Sequence, residues 1–140
     1  MTLSRFFAIL VLAVALVGCG DRHLSLPSPV SASGKITLAN GQPLKNVRLM
    51  FTPIEAMAPA SAVVKEDGTF ALNTYDSKPG ACAGKYRVII QMDQSSPEGR
   101  TKSIAALKSV PEKYQQENSP LEVTIGSMGN TSIELKLDAK

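Results

Sequence analysis

Few residues in this 140-residue chain carry the chemistry of catalysis or ligation. The single histidine, His23, sits in a Ser/Pro-rich stretch. Nucleophilic catalysis needs a base oriented by a third group on a rigid support, and zinc needs several ligands together. His23 has neither, so no catalytic residue, metal site or cofactor is expected. Glu66-Asp67-Gly68 offers two carboxylates beside a turn glycine, whereas calcium takes about six to eight oxygens; a solvated turn tip is expected there. The chain has no Trp and three tyrosines, a poor supply of the aromatic platforms on which sugars stack. Tyr75 and Tyr114 are the candidates for a contact surface, while Tyr86 falls in a strand pattern and is expected to bury its ring. A net charge of +3, with no Gly-rich phosphate loop and no basic-aromatic patch, gives no footprint for nucleic acid.

The two cysteines differ in setting. Cys19 closes an apolar run, residues 6–17, twelve residues without a polar face. As a helix the run is about 18 Å long, too short for the roughly 20 residues that span a bilayer. With Arg5 before it, it reads as a secretory signal peptide over residues 1–18. The end of that run, Leu16-Val17-Gly18-Cys19, resembles the lipobox of bacterial lipoproteins. The resemblance implies a diacylglycerol on the Cys19 thiol, cleavage just before it and acylation of the new N-terminus. Two or more acyl chains anchor stably where one holds only marginally. Cys82, in "PGACAGK", is then left without an intramolecular partner. It is expected to be a small structural thiol, with an intermolecular bridge or a reactive thiol as the alternative.

Elements follow from the punctuation. Residues 19–32 hold serines and prolines without periodicity, a flexible tether. From residue 33 to 140 the apolar residues alternate with polar ones: Gly34, Ile36 and Leu38; Val47, Leu49 and Phe51; residues 62–64; Phe70 and Leu72; Tyr86, Val88, Ile90 and Met92; Leu121, Val123 and Ile125; Ile133, Leu135 and Leu137. Asn40-Gly41 and Asp67-Gly68 are turn signals, the second read as a two-residue hairpin. These seven segments predict an all-β, antiparallel β-sandwich. Residues 102–114 compete as a helical turn, limited by Pro111. The stretches "EAMAPASA" (55–62) and "QSSPEGRTK" (94–102) read as loops, either of which offers a place for a partner. Ile89 points outward from its strand and is an interface candidate unless covered.

Several of these stretches carry a family resemblance. "SGKITLANGQPLKNVRLMFTP", "KEDGTFAL" and "PGACAGKYRVII" resemble the strand-turn-strand, D-G-x-F and P-G-x-Y-x-V segments of carboxypeptidase-regulatory-like domains, with three extra residues, Ala81, Cys82 and Ala83, between the last two glycines. "VPEKY" followed by "SPLEVTI" is similar to the tail of short lipoproteins of planctomycete-type bacteria. The resemblance covers nearly the whole mature chain and implies a seven-stranded Greek-key sandwich of transthyretin type. Its enzyme branch, hydroxyisourate hydrolase, uses histidines within the barrel and a C-terminal Tyr-Arg-Gly-Ser motif; this chain ends in "ELKLDAK". The expectation is a non-catalytic cell-envelope protein anchored to the membrane through Cys19, on the periplasmic or exterior face. It would serve as a structural or interaction module for another envelope protein or matrix component. The alternative is a small-ligand or glycan-binding envelope protein, and the remote alternative an enzyme of the hydrolase type.

Overall fold

Seven strands form where the period-two segments lie. They are β1 (Ala32–Thr37), β2 (Val47–Pro53), β3 (Ala60–Val63), β4 (Thr69–Ala71), β5 (Gly84–Met92), β6 (Glu122–Ile125) and β7 (Asn130–Lys136). A helix, α1 (Pro97–Leu107), and a 3₁₀ turn (Glu112–Tyr114) come between β5 and β6. The computed structural model describes residues 27–74 and 78–140; the expected signal peptide, Cys19, His23 and Tyr75 lie outside the described residues.

The strands make two layers, β4-β1-β7 and β3-β2-β5-β6. Alternation sends one set of side chains inward from each layer. Ile36, Phe70, Ile133 and Leu135 from the first meet Val47, Leu49, Phe51, Tyr86, Val88 and Ile90 from the second in one buried cluster. The Phe51 ring lies 6.0 Å from the Phe70 ring, across the layers, and 6.0 Å from Tyr86. Aromatic pairs favour such tilted separations, and the three rings fix the spacing of the sheets.

Some expectations need correction. The sandwich is not wholly antiparallel, because β1 and β7 run parallel, with a register shift between Ala32 and Gly34. Period-two alternation is identical for either strand direction, so sequence pattern cannot distinguish them. A Cβ on Gly34 would stand 2.0 Å from the Ile133 carbonyl oxygen, so the glycine is what lets β7 approach at the shift. Asp67-Gly68 does form a turn, with Gly68 at φ +82°, and the Lys65 amide donates to the Thr69 carbonyl across it at 2.9 Å, so the hairpin closes over three residues, 66–68, and not over two. It carries the chain from β3 in one sheet to β4 in the other. "EAMAPASA" is loop only in part, since β3 begins at Ala60. The tether also ends earlier than expected: Val30 and Ala81 exchange two backbone hydrogen bonds of 2.9 Å, and β1 starts at Ala32.

The larger difference is α1, which takes up part of 94–102, read as loop, and extends into 102–114, where no more than a helical turn is expected. Ser96 caps it, its hydroxyl accepting from the Gly99 amide at 2.9 Å, and Pro97 occupies the first turn beside acidic Glu98. A serine cap, proline in the first turn and an early carboxylate together mark a helix start. Weak amphipathicity hid the helix; Ser103 is its one fully buried residue, while Ala106 and Leu107 pack partly against the core.

Register fixes what lies at each end. Pro53 faces Tyr86 and Gly84 faces Ile125, while Ala32 is level with Asn130 and Ser33 with Ala71. The entry of the chain, the β2–β3 loop, the β4–β5 connection and the β6–β7 turn therefore share one end, the entry end. The β1–β2 loop, the β3–β4 turn and α1 belong to the other, the helical end.

Candidate functional site

At the helical end one buried carboxylate organises three segments. Asp93, just past β5, accepts from the Ser95 amide (3.1 Å), the Ser95 hydroxyl (2.9 Å) and the Arg48 guanidinium (3.1 Å). Burial by itself would raise its pKa, but the Ser95 and Arg48 hydrogen bonds outweigh it and hold the carboxyl below the usual range. Behind it, the Asp93 amide donates to the Ser103 hydroxyl at 2.9 Å. That hydroxyl in turn donates to the Asn46 carbonyl. Asn46 is the one non-glycine residue of the described chain with positive φ, at 58°. Asparagine tolerates that region better than most residues. The cluster thus joins α1 to the start of β2 and the end of β5, and its polar groups are used up in structure.

Tyr114 belongs to a second structural device. The expectation of a contact surface there is overturned: the residue is 3% exposed and part of the core cluster. Its hydroxyl donates to the Asp138 carboxylate at 2.8 Å and accepts from the Asp138 amide at 3.2 Å. Lys113 pairs with the same carboxylate and lies over the Tyr114 ring. Lys113 and Tyr114 together hold the Asp138 carboxyl below its ordinary range. The arrangement pins the C-terminal segment beyond β7. A tyrosine in "VPEKY" gives no sign of this, because the burying partner is 24 residues away.

The entry end is built around Tyr86. Its buried hydroxyl lies 2.7 Å from the Cys82 carbonyl oxygen and 3.1 Å from that of Ala58. Desolvation pushes its pKa up to about 12. The Cys82 thiol is fully buried and faces the Pro27 carbonyl oxygen at 3.5 Å. A thiol with no exposed surface cannot meet another molecule's cysteine without local unfolding. Ile89 is also buried, at 6% exposure, level with Met50 of β2, and offers no apolar patch.

Two surface features remain. On the outer face of β4-β1-β7 lies an open hollow of about 500 Å³, with Ser33, Lys35, Thr69, Thr131 and Glu134 around it. At the entry end, Met57 and Met128 are 63% and 95% exposed, and Ile54 is also exposed. Glu66 and Asp67 are engaged by Lys45 and Thr69 respectively. Among the described residues no group of three or more His, Cys, Asp or Glu converges as a metal would require. Nor, among them, is any helix long and apolar enough to cross a membrane. No family model, curated protein or solved structure matches the chain.

Proposed function

We propose that this chain is a non-catalytic, lipid-anchored protein of the cell envelope. In this reading residues 1–18 are removed, Cys19 carries the lipid, and a transthyretin-like Greek-key sandwich of carboxypeptidase-regulatory type is held at the membrane as a structural or protein-interaction module. The observation that carries it is the Leu16-Val17-Gly18-Cys19 ending of a twelve-residue apolar run. Its support from the fold is the way the chain enters, gripped at one end of the sandwich by the Val30–Ala81 pairing. The test is intact mass spectrometry of protein purified from its native membrane. A mature N-terminus at Cys19 with added acyl mass, absent in Cys19→Ala, is expected; an unlipidated N-terminus would sink the reading.

One observation favours a second reading, a small-ligand or glycan-binding envelope protein. The hollow on β4-β1-β7 gathers hydroxyl, ammonium and carboxylate groups on one face, the kind of convergence that a polar ligand uses. Titration with neutral oligosaccharides, followed by amide chemical shifts at Lys35, Thr69 and Thr131, separates the two. Shifts confined to those residues would favour ligand binding.

A further inference from the structure

We propose that the entry end of the sandwich rests on the lipid surface, with Met57 and Met128 immersed at the bilayer interface. The inference builds on the anchor reading of Cys19 and goes beyond it, to the orientation of the domain. Three observations meet at this end. First, the two most exposed large apolar residues among those described, Met128 and Met57, stand on the β6–β7 turn and the β2–β3 loop, with Ile54 beside Met57. Strand register brings both connections to the same end, since Gly84 pairs with Ile125 and Pro53 with Tyr86. Second, the chain enters there: the Val30–Ala81 bridge ties the incoming segment to the β4–β5 connection, and a Cβ on Gly129 would stand 2.4 Å from the Ser31 carbonyl oxygen. Third, only eight positions separate Cys19 from Pro27. Fully extended they reach about 28 Å, and a relaxed chain reaches less. The anchor therefore holds this end near the headgroups.

Lys85 and Arg87 at this end are paired with Glu122, at 2.8 and 3.6 Å, and Glu55 lies between Ile54 and Met57. Flexible thioether side chains on loop tips suit an irregular interface. Toward the helical end the exposed large apolar residues are Val63, at the end of β3, and Ile104 of α1, and Ile104 serves as the internal reference.

The protein has no Trp, so a single introduced indole reports its own surroundings. Full-length protein carrying Met128→Trp, Met57→Trp or Ile104→Trp is purified from the membrane and reconstituted into phosphatidylcholine vesicles with brominated acyl chains. Intact mass is measured on the same samples. The expected result is acyl mass on Cys19, with blue-shifted, strongly quenched emission for Met128→Trp and Met57→Trp and unquenched emission for Ile104→Trp. Acyl mass with all three indoles equally unquenched would overturn the docking and leave the anchor standing. Equal quenching of all three would also overturn it, because the domain would have no preferred face. Absence of acyl mass would refute the anchor instead; quenching confined to the two entry-end indoles would then still support the docking, and its absence would refute both.

Discussion

Removing the Asp93 carboxylate should cost far more than removing any other acid that forms an ion pair in the described chain. In the Arg48–Asp93 pair the side chains are 30% and 8% exposed. Truncating one member of a fully buried pair costs about 3–5 kcal/mol, because the other charge is stranded. Arg48 is partly wet and can rehydrate, which reduces that figure. The Ser95 amide and hydroxyl lose their acceptor at the same time, at about 1 kcal/mol for a partly buried bond. For Asp93→Ala the balance is about 2–3 kcal/mol. With a urea m-value near 1.5 kcal/mol/M, the midpoint should fall by roughly 1.3–2 M. Asp93→Asn keeps the shape and one acceptor and should fall about half as far. Glu66→Ala removes the Lys45 partner, where both side chains are more than half exposed, and should leave the midpoint unmoved. The pH dependence has a definite sign. The Asp93 carboxyl is held below its usual value in the folded state, so its stabilisation is complete above the unfolded pKa near 4 and is lost as pH falls through the folded value. The gap between parent and Asp93→Asn should therefore close below about pH 4. Chemical denaturation of the chain lacking residues 1–18 and carrying Cys19→Ser, from pH 2 to 7, measures all of this. An Asp93→Ala midpoint no lower than that of Glu66→Ala would refute the reasoning, as would a gap that persists unchanged into acid.

Tyr86→Phe should lower stability by about 1–2 kcal/mol, since the buried Cys82 and Ala58 carbonyls lose their donor. Parent stability should also decline from pH 10 upward, because the unfolded hydroxyl ionises near 10 and the folded one only near 12. Tyr86→Phe should remove part of that decline, and identical alkaline profiles would argue against a desolvated hydroxyl. Gly34→Ala should separate β7 from β1, because the new methyl meets the Ile133 backbone at 2.0 Å. A loss of about 3 kcal/mol or more is expected from so short a contact, with amide exchange accelerating first in β7. Unchanged exchange would mean the register shift absorbs the methyl.

Much of the architecture is legible in the sequence because alternation is local. Ile36, Leu49, Phe51, Phe70, Val88 and Leu135 are identified as core by their own neighbours, and burial follows. Glycine at the Asp67-Gly68 turn is required by a positive φ that few other residues accept. The start of α1 was also written locally, in Ser96, Pro97 and Glu98, although the polar composition of the segment argues for loop. The apolar run, the cysteine that ends it and the tether are properties of chain composition and need no fold to be seen. What the tertiary structure alone decides is how distant segments meet. Direction of pairing is one case: β1 and β7 are parallel, while the Asp67-Gly68 turn joins different sheets, because strand partners are chosen by the shared core and not by the nearest turn. The roles of Tyr114, Asp93 and Cys82 are another. Each is engaged by residues from elsewhere in the chain: Asp138, Arg48 and the Pro27 carbonyl. Met57 and Met128, 71 positions apart, become one apolar end only when the strands are folded into register, because hydrophobic contact depends on distance in space and carries no trace in local spacing.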